Sequence, residues 1–347
     1  MKNLIDKLYN EKNLSDEEFR TLILDMPEAD YLFEKARSRA NEVYGNKVFI
    51  RGLIEISNFC KNDCYYCGIR KSNGNAERYR LTQEDILSCC ENGYAHGFRT
   101  FVMQGGEDAY FTDDRLCSLI KEIKKRYPDC AVTLSLGERS DESYRRLYEA
   151  GGDRYLLRHE TACETHYNTL HPEYMSHKNR IRCLKTLKET GFQTGCGFMV
   201  GTPGQTVDNL IADLRFIKEF SPHMVGIGPF LPHKDTPFAA ENKGSAELTV
   251  YLLAIIRLML PSVLLPATTA LGTAEEGGRE KGILAGANVI MPNLSPQSAR
   301  EKYTLYNNKL HTGTENAYQL NLLKEKIAKI GYRIVSERGD CLTGKNF

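Results

Sequence analysis

Residues 60–67 read CKNDCYYC, which places Cys60, Cys64 and Cys67 in a C-x3-C-x2-C run. Thiolates at this density bind metal. A structural zinc site takes four ligands, usually as two pairs, and no C-x-x-C pair follows elsewhere in the chain. A 4Fe–4S cluster prefers four thiolates. Three thiolates leave one iron open to bind a substrate or cofactor and pass it an electron. The spacing therefore predicts a single 4Fe–4S cluster on Cys60, Cys64 and Cys67, with a catalytic use for the open iron. A structural zinc site, or a disulfide with a spare thiol, is the competing reading.

The other eight of the 11 cysteines are scattered without ligand spacing. They read as small, partly buried hydrophobes, and the odd total argues against a secreted disulfide framework. A net charge of +1 gives no basic surplus for nucleic acid. No window of ~18 apolar residues suggests a membrane span, and the polar opening MKNLIDKLYNEKNLSDEEF does not read as a signal peptide. The expectation is a cytoplasmic enzyme with neither nucleic acid nor membrane as partner.

The chain must supply elements that position these cysteines. Residues 1–45 read as a helical segment, with Leu14-Ser15-x-x-Glu18-Phe19 as a capping box and hydrophobic staple. Eight apolar runs follow, at 48–57, 99–104, 131–136, 153–158, 193–200, 224–228, 263–267 and 288–291. Helical patterns lie between them, with Thr82, Thr112 and Thr206 as caps. Alternating apolar strands and helices predict a parallel sheet, and eight units predict a complete α/β (β/α)8 barrel over residues 46–300. An open doubly wound sheet is the alternative. Residues 301–347 read as a helical extension packing on the barrel, with 317–332 on its outside. Every unusual motif falls at a strand C-terminus, the face that carries active sites in barrels: CKNDCYYC, QGGED (104–108), Ser135 with Glu138, RHE (158–160), MVGTPGQT (199–206), GPFLPH (228–233), ATTALGT (267–273) and MPN (291–293).

The cysteine run, with Tyr66 before its last member and Gly105-Gly106-Glu107 after the second strand, resembles the radical S-adenosylmethionine (SAM) superfamily. Longer stretches, among them IEISNFCKNDCYYCGIRKSN, RYLLRHET and GANVIMPNLSP, are similar to the branch that matures FeFe-hydrogenase, beside biotin synthase and methylornithine synthase. In that family the open iron chelates SAM, and reduction yields methionine and a 5′-deoxyadenosyl radical. The resemblance implies that Gln104, Gly105, Gly106 and Glu107 line the methionine end. Glu160 would take the ribose or ammonium side, Ser135 would add a hydrogen bond to the ribose and Arg180 would take the carboxylate, while Met199, Gly201 and Gly204 would lie near the adenine. It further implies a cavity for a small organometallic or amino-acid-derived substrate, such as a cysteine-bound iron carbonyl–cyanide precursor. Arg158 would supply fixed charge there, Thr133, Thr268, Thr269, Tyr303 and Tyr306 hydroxyl groups, and Met291 a soft neighbour. Ordinary strand packing for the threonines and plain turns for the glycines stay open. Implied partners are a precursor-forming radical SAM maturase, a scaffold GTPase and an electron donor. Some relatives hold a second cluster near the C-terminus. Residues 303–340 contain no cysteine, so none is expected here. Rival functions are a methylornithine synthase-like mutase and a non-catalytic iron–sulfur carrier.

Overall fold

The computed structural model describes residues 1–310 and 317–342; residues 311–316, inside the cysteine-free stretch, lie outside them. Three helices open the chain, Lys2–Glu11, Asp16–Asp25 and Ala29–Tyr44. The Ser15 hydroxyl accepts the Glu18 amide N–H, and the Glu18 carboxylate accepts the Ser15 N–H in return. Thr82 with Asp85 and Thr206 with Asn209 form the same reciprocal cap, and Thr112 caps the helix Asp113–Arg126. Each cap satisfies amides that the helix itself leaves unpaired, worth about 1 kcal/mol apiece. Leu14 and Phe19, the staple pair, are both buried.

The strands are β1 (Lys47–Ile50), β2 (Gly52–Ser57), β3 (Thr100–Gly105), β4 (Ala131–Ser135), β5 (Arg154–Leu156), β6 (Gln193–Cys196), β7 (Met199–Val200), β8 (Met224–Val225), β9 (Gly228–Pro229), β10 (Val289–Ile290) and β11 (Arg333–Val335). β2, β3, β4, β5, β6 and β8 form one six-stranded parallel sheet in that order. β1 pairs in parallel with β10 on one side and β11 on the other. Single parallel bridges add Met224 to Leu264, Pro266 to Val289 and Leu53 to Asn293. Side chains alternate along each strand. Ile54, Ile56, Phe101, Met103, Val132, Leu134, Tyr155, Leu157 and Leu265 join the helices in the main apolar core. Phe49, Met224, Leu264 and Val289, on the alternate positions, form a second cluster with Met291 against it.

Several expected strands are shorter or interrupted. The run 48–57 breaks at Arg51, and 193–200 breaks at Gly197. Gly197 has φ +151, and a Cβ there would lie 2.1 Å from the Gly226 carbonyl oxygen, so two backbones meet where side chains cannot fit. The run 263–267 makes bridges but no ladder, since Pro266 has no N–H to donate.

The 301–347 extension reaches further than an outer covering. After the helix Ala317–Lys329, β11 pairs with β1, and residues 338–342 run beneath the starts of the strands. The Arg338 carbonyl accepts from Thr100 Oγ1 (2.8 Å) and Arg154 Nη2 (2.9 Å). Asp340 takes Arg154 Nη2 at 2.6 Å and Gln193 Nε2 at 2.8 Å. The Cys341 amide returns a bond to Gln193 Oε1 (3.0 Å), and its thiol donates to the Ser262 carbonyl. Among the described residues, no helix is long and apolar enough to cross a membrane.

Candidate active site

The cysteine loop leaves β2 and folds back over the end of β3. Cys60 Sγ accepts backbone N–H bonds from Asn62 (3.5 Å) and Glu107 (3.4 Å). Cys64 Sγ lies 3.8 Å from Met175 Sδ. All three cysteines are free thiols. Burial pushes the thiols of Cys60 and Cys64 up, and that of Cys67 up to about 12. Bound iron would oppose burial and keep them as thiolates. Among the described residues no three Cys, His, Asp or Glu side chains converge on one ion. A 4Fe–4S cube does not require that, because each thiolate binds a different iron. Tyr66 packs with Leu170, Met199, Phe230 and Phe238, and its hydroxyl lies 3.1 Å from His171 Nε2. His171 Nδ1 must donate to the Tyr167 carbonyl (2.9 Å), so Nε2 accepts from Tyr66.

Gly106 brings β3 against this loop. A Cβ at Gly106 would lie 2.2 Å from the Phe59 carbonyl oxygen and 2.7 Å from Cys60 Cβ. Glu107 is then fixed from two sides: its Oε1 accepts the Glu138 N–H (2.9 Å), and its Oε2 lies 3.0 Å from the exposed Lys61 ammonium. Arg180 sits in the buried layer beside it, with Nε 2.6 Å from Glu138 Oε1 and Nη1 bonded to the Arg158 carbonyl at 3.3 Å. Glu160 follows β5 in a left-handed conformation, φ +66. Its Oε2 is buried without a partner. Burial raises its pKa, against the pull of the Arg158 and Arg180 guanidinium groups. An unpaired carboxylate oxygen between two cations, beside a glycine-lined cysteine loop, fits an incoming group with its own hydrogen-bond donors.

A family model described as the radical SAM superfamily matches residues 54–217. The chain is 50% identical over 279 residues to the [FeFe] hydrogenase maturase subunit HydE of Thermotoga maritima, covering 80% of this chain and 79% of that protein. The chain belongs to the HydE family of radical SAM enzymes. It is also 30% identical to a 3-methylornithine synthase of Methanosarcina acetivorans, over 88% of this chain and 87% of the relative. The crystal structure of a methylornithine synthase superposes with a TM-score of 0.84, at 27% identity, covering 96% of this chain and 97% of that one.

In this radical SAM chain, Gln104, Gly105 and Ser135 sit at the paired ends of β3 and β4. Thr133 turns inward from β4, buried, with its hydroxyl unpartnered. Arg158 passes Gly226, where even a Cβ would clear its Nε by 3.8 Å. Thr268 caps the helix Thr269–Ala274, accepting the Leu271 N–H at 3.3 Å, while Arg279 Nη2 donates to Thr269 Oγ1 at 3.4 Å. Met291 packs on the inner apolar cluster. Gly201 (φ +78) and Gly204 (φ +74) both need glycine's left-handed freedom. Gln205 ties the loop, accepting the Gly201 N–H (2.6 Å) and donating to the Met199 carbonyl (2.8 Å). His159 faces the helix layer and stays outside the site. Its Nδ1 accepts the Gly197 N–H, so its Nε2 donates to buried Asp213 at 3.2 Å.

Glu55 and Lys309 are inward-facing residues that sequence reasoning missed, and Asn293, the last residue of the MPN motif, joins them. Asn293 Nδ2 donates to Glu55 Oε2 at 2.8 Å, and Lys309 Nζ bonds Oε1. The available signal was an acid in the middle of the apolar run GLIEIS. An inward carboxylate there demands a partner.

Proposed function

We propose that this chain is a maturase of FeFe-hydrogenase that works on a small anionic precursor inside a closed (β/α)8 barrel. Closure is supported by the parallel bridges Met224–Leu264 and Pro266–Val289, which join the edge of the six-stranded sheet to β10 and so to β1. Cys60, Cys64 and Cys67 would hold one 4Fe–4S cluster, and no second cluster is proposed. When bound, the cluster and SAM together supply a 5′-deoxyadenosyl radical through one-electron reductive cleavage. The observation that carries the reading is the meeting of Gly106, Glu160 and Arg180 around the cysteine loop, in a chain 50% identical to a HydE over 279 residues.

The side chains divide the work. Arg180, held by Glu138, presents a guanidinium suited to an α-carboxylate. Glu160 offers its unpartnered oxygen to an ammonium or ribose hydroxyl. Gly105 and Gly106 let the backbone approach, and Met199 and the 201–205 turn lie on the adenine side. Deeper in, Arg158, Thr133, Thr268, Thr269, Tyr303 and Tyr306 bind the precursor, and Met291 borders it. The partners are the precursor-forming maturase, the scaffold GTPase and an electron donor in the cytoplasm.

A mutase acting on a free amino acid is the second reading, favoured by the likeness to methylornithine synthase. The charged groups it needs are partly committed, since Glu55 is already satisfied by Lys309 and Asn293. Anaerobic reconstitution followed by dithionite and SAM tests the core claim. The expected result is 5′-deoxyadenosine from the native chain and neither 4Fe–4S absorbance nor product from Cys64→Ala. A full cluster in Cys64→Ala would overturn the ligand assignment. Arg158→Ala is expected to weaken precursor binding at least about tenfold, the loss of a buried charge-assisted bond, with SAM affinity kept. Equal loss of both would place Arg158 in the cofactor subsite.

A further inference from the structure

Residues 302–310 cross the rim without forming helix or strand. Their backbone is tied to four neighbours. The Lys302 carbonyl accepts from Asn58 Nδ2 (2.8 Å), and the Leu305 carbonyl accepts the N–H of Gly68, the residue after Cys67 (2.9 Å). The Asn307 N–H donates to the Pro232 carbonyl (3.0 Å), and the Leu310 N–H to Thr273 Oγ1 (3.2 Å). Every third residue turns inward. The Tyr303 hydroxyl accepts from Gln104 Nε2 at 3.4 Å, and Tyr306 lies in the field of Arg158 and beside Thr273. Lys309 donates to the Tyr303 carbonyl (2.8 Å) and to Glu55. Glu55 is fully buried and in register with Gln104 on β3.

We propose that Glu55 and Lys309 are positioning residues, whose buried ion pair latches residues 302–310 across the rim and sets Tyr303 and Tyr306 as a wall of the substrate cavity. A segment with no ladder of its own needs an anchor, and this one is internal. Either charge alone in that layer is far costlier than the pair, so the segment is either seated with its lysine in or displaced with its lysine out. Burial weakens the lysine's hold on its proton, and the Glu55 charge beside it opposes that loss without reversing it. Gly68 offers an independent handle. A Cβ there would lie 2.1 Å from the Thr304 carbonyl oxygen and 2.5 Å from His233 Cδ2, and its φ is not left-handed. Gly68→Ala therefore pushes on the strap without straining its own backbone.

The proposal rests on the maturase reading only for the identity of the substrate, and its test is separable. Amide hydrogen exchange is measured on the cluster-loaded full chain. Lys309→Met and Glu55→Gln are expected to raise exchange in residues 302–310 by about tenfold or more, with exchange in β3 unchanged. Lys309→Arg should keep the native rate within about threefold, since it keeps the charge. Gly68→Ala should open the same peptides by displacement alone and serves as the reference for an unseated strap, while Glu55→Gln carries the test if Lys309→Met fails to fold. With the iron precursor, Lys309→Met should raise KM more than it lowers kcat. Unchanged exchange in 302–310 for Lys309→Met or Glu55→Gln would overturn the latch. So would an equal rise in β3, which means global loosening. If the precursor is no substrate for the native chain, the maturase reading fails and the exchange result still decides the latch.

Discussion

Glu160 accepts two local costs. Its φ of +66 is penalised by about 1–2 kcal/mol for an L-residue with a side chain, and its Oε2 is buried with no donor. Neither is repaid within the chain alone, and such sites persist where a ligand completes them. Glu160→Gly removes both costs and adds back part of them as unfolded-chain entropy. The cluster-free variant should melt about 2 °C higher than the native chain, while SAM binding by the reconstituted variant falls at least about tenfold. Scanning fluorimetry and a SAM titration read the two effects. A lower melting point would mean that Arg158 and Arg180 already compensate Glu160 in the empty site. Gly106→Ala has the opposite character. Its Cβ would strike backbone at Phe59 rather than a flexible side chain, so the loop itself must move. The expected result is reduced iron per chain after reconstitution with the fold intact by circular dichroism.

At the scale of elements, the tail contributes a titratable clasp. Burial by itself would raise the pKa of Asp340, but Arg154, Arg338 and Gln193 outweigh it and hold the carboxyl down at about 2, against 3.8 ordinarily. The stability it adds is therefore complete above the unfolded value near 3.8 and is lost as pH falls through about 2. Asp340→Asn should flatten that part of the acid limb and speed exchange at β11. Unchanged acid unfolding would show that the clasp is screened by solvent. Such a clasp is not legible in a sequence. Helix caps were legible because Ser15 and Glu18, or Thr82 and Asp85, act within one turn. The rim was legible because each motif ends an apolar run, and strand ends in a parallel sheet share one face. The buried pair Glu55 and Lys309 joins residues 254 positions apart, and neither neighbourhood specifies the other. Interrupted strands escaped for a related reason. Gly197 and Gly226 are ordinary turn formers until folding brings their backbones together.

For the whole molecule, ligand binding and folding are one equilibrium. SAM at about a hundred times its Kd should add about 2.7 kcal/mol to the stability of the reconstituted chain. It should add nothing to Cys64→Ala, which under the proposed ligand set would have no open iron to bind it. Equal stabilisation of both proteins would mean that SAM is held by Arg180 and Glu160 without the cluster. The floor built by β11 and residues 338–342 bears on how the protein is made. β11 pairs with β1, and Asp340 bonds Arg154 and Gln193 on β5 and β6, all synthesised long before. Such distant pairings form late in folding. A nascent chain can thus carry all eight strand runs and the cysteine loop while the starts of its strands stand uncovered. Iron loading should follow translation of residues 333–342, and ribosome-stalled chains ending before them should remain apo-proteins.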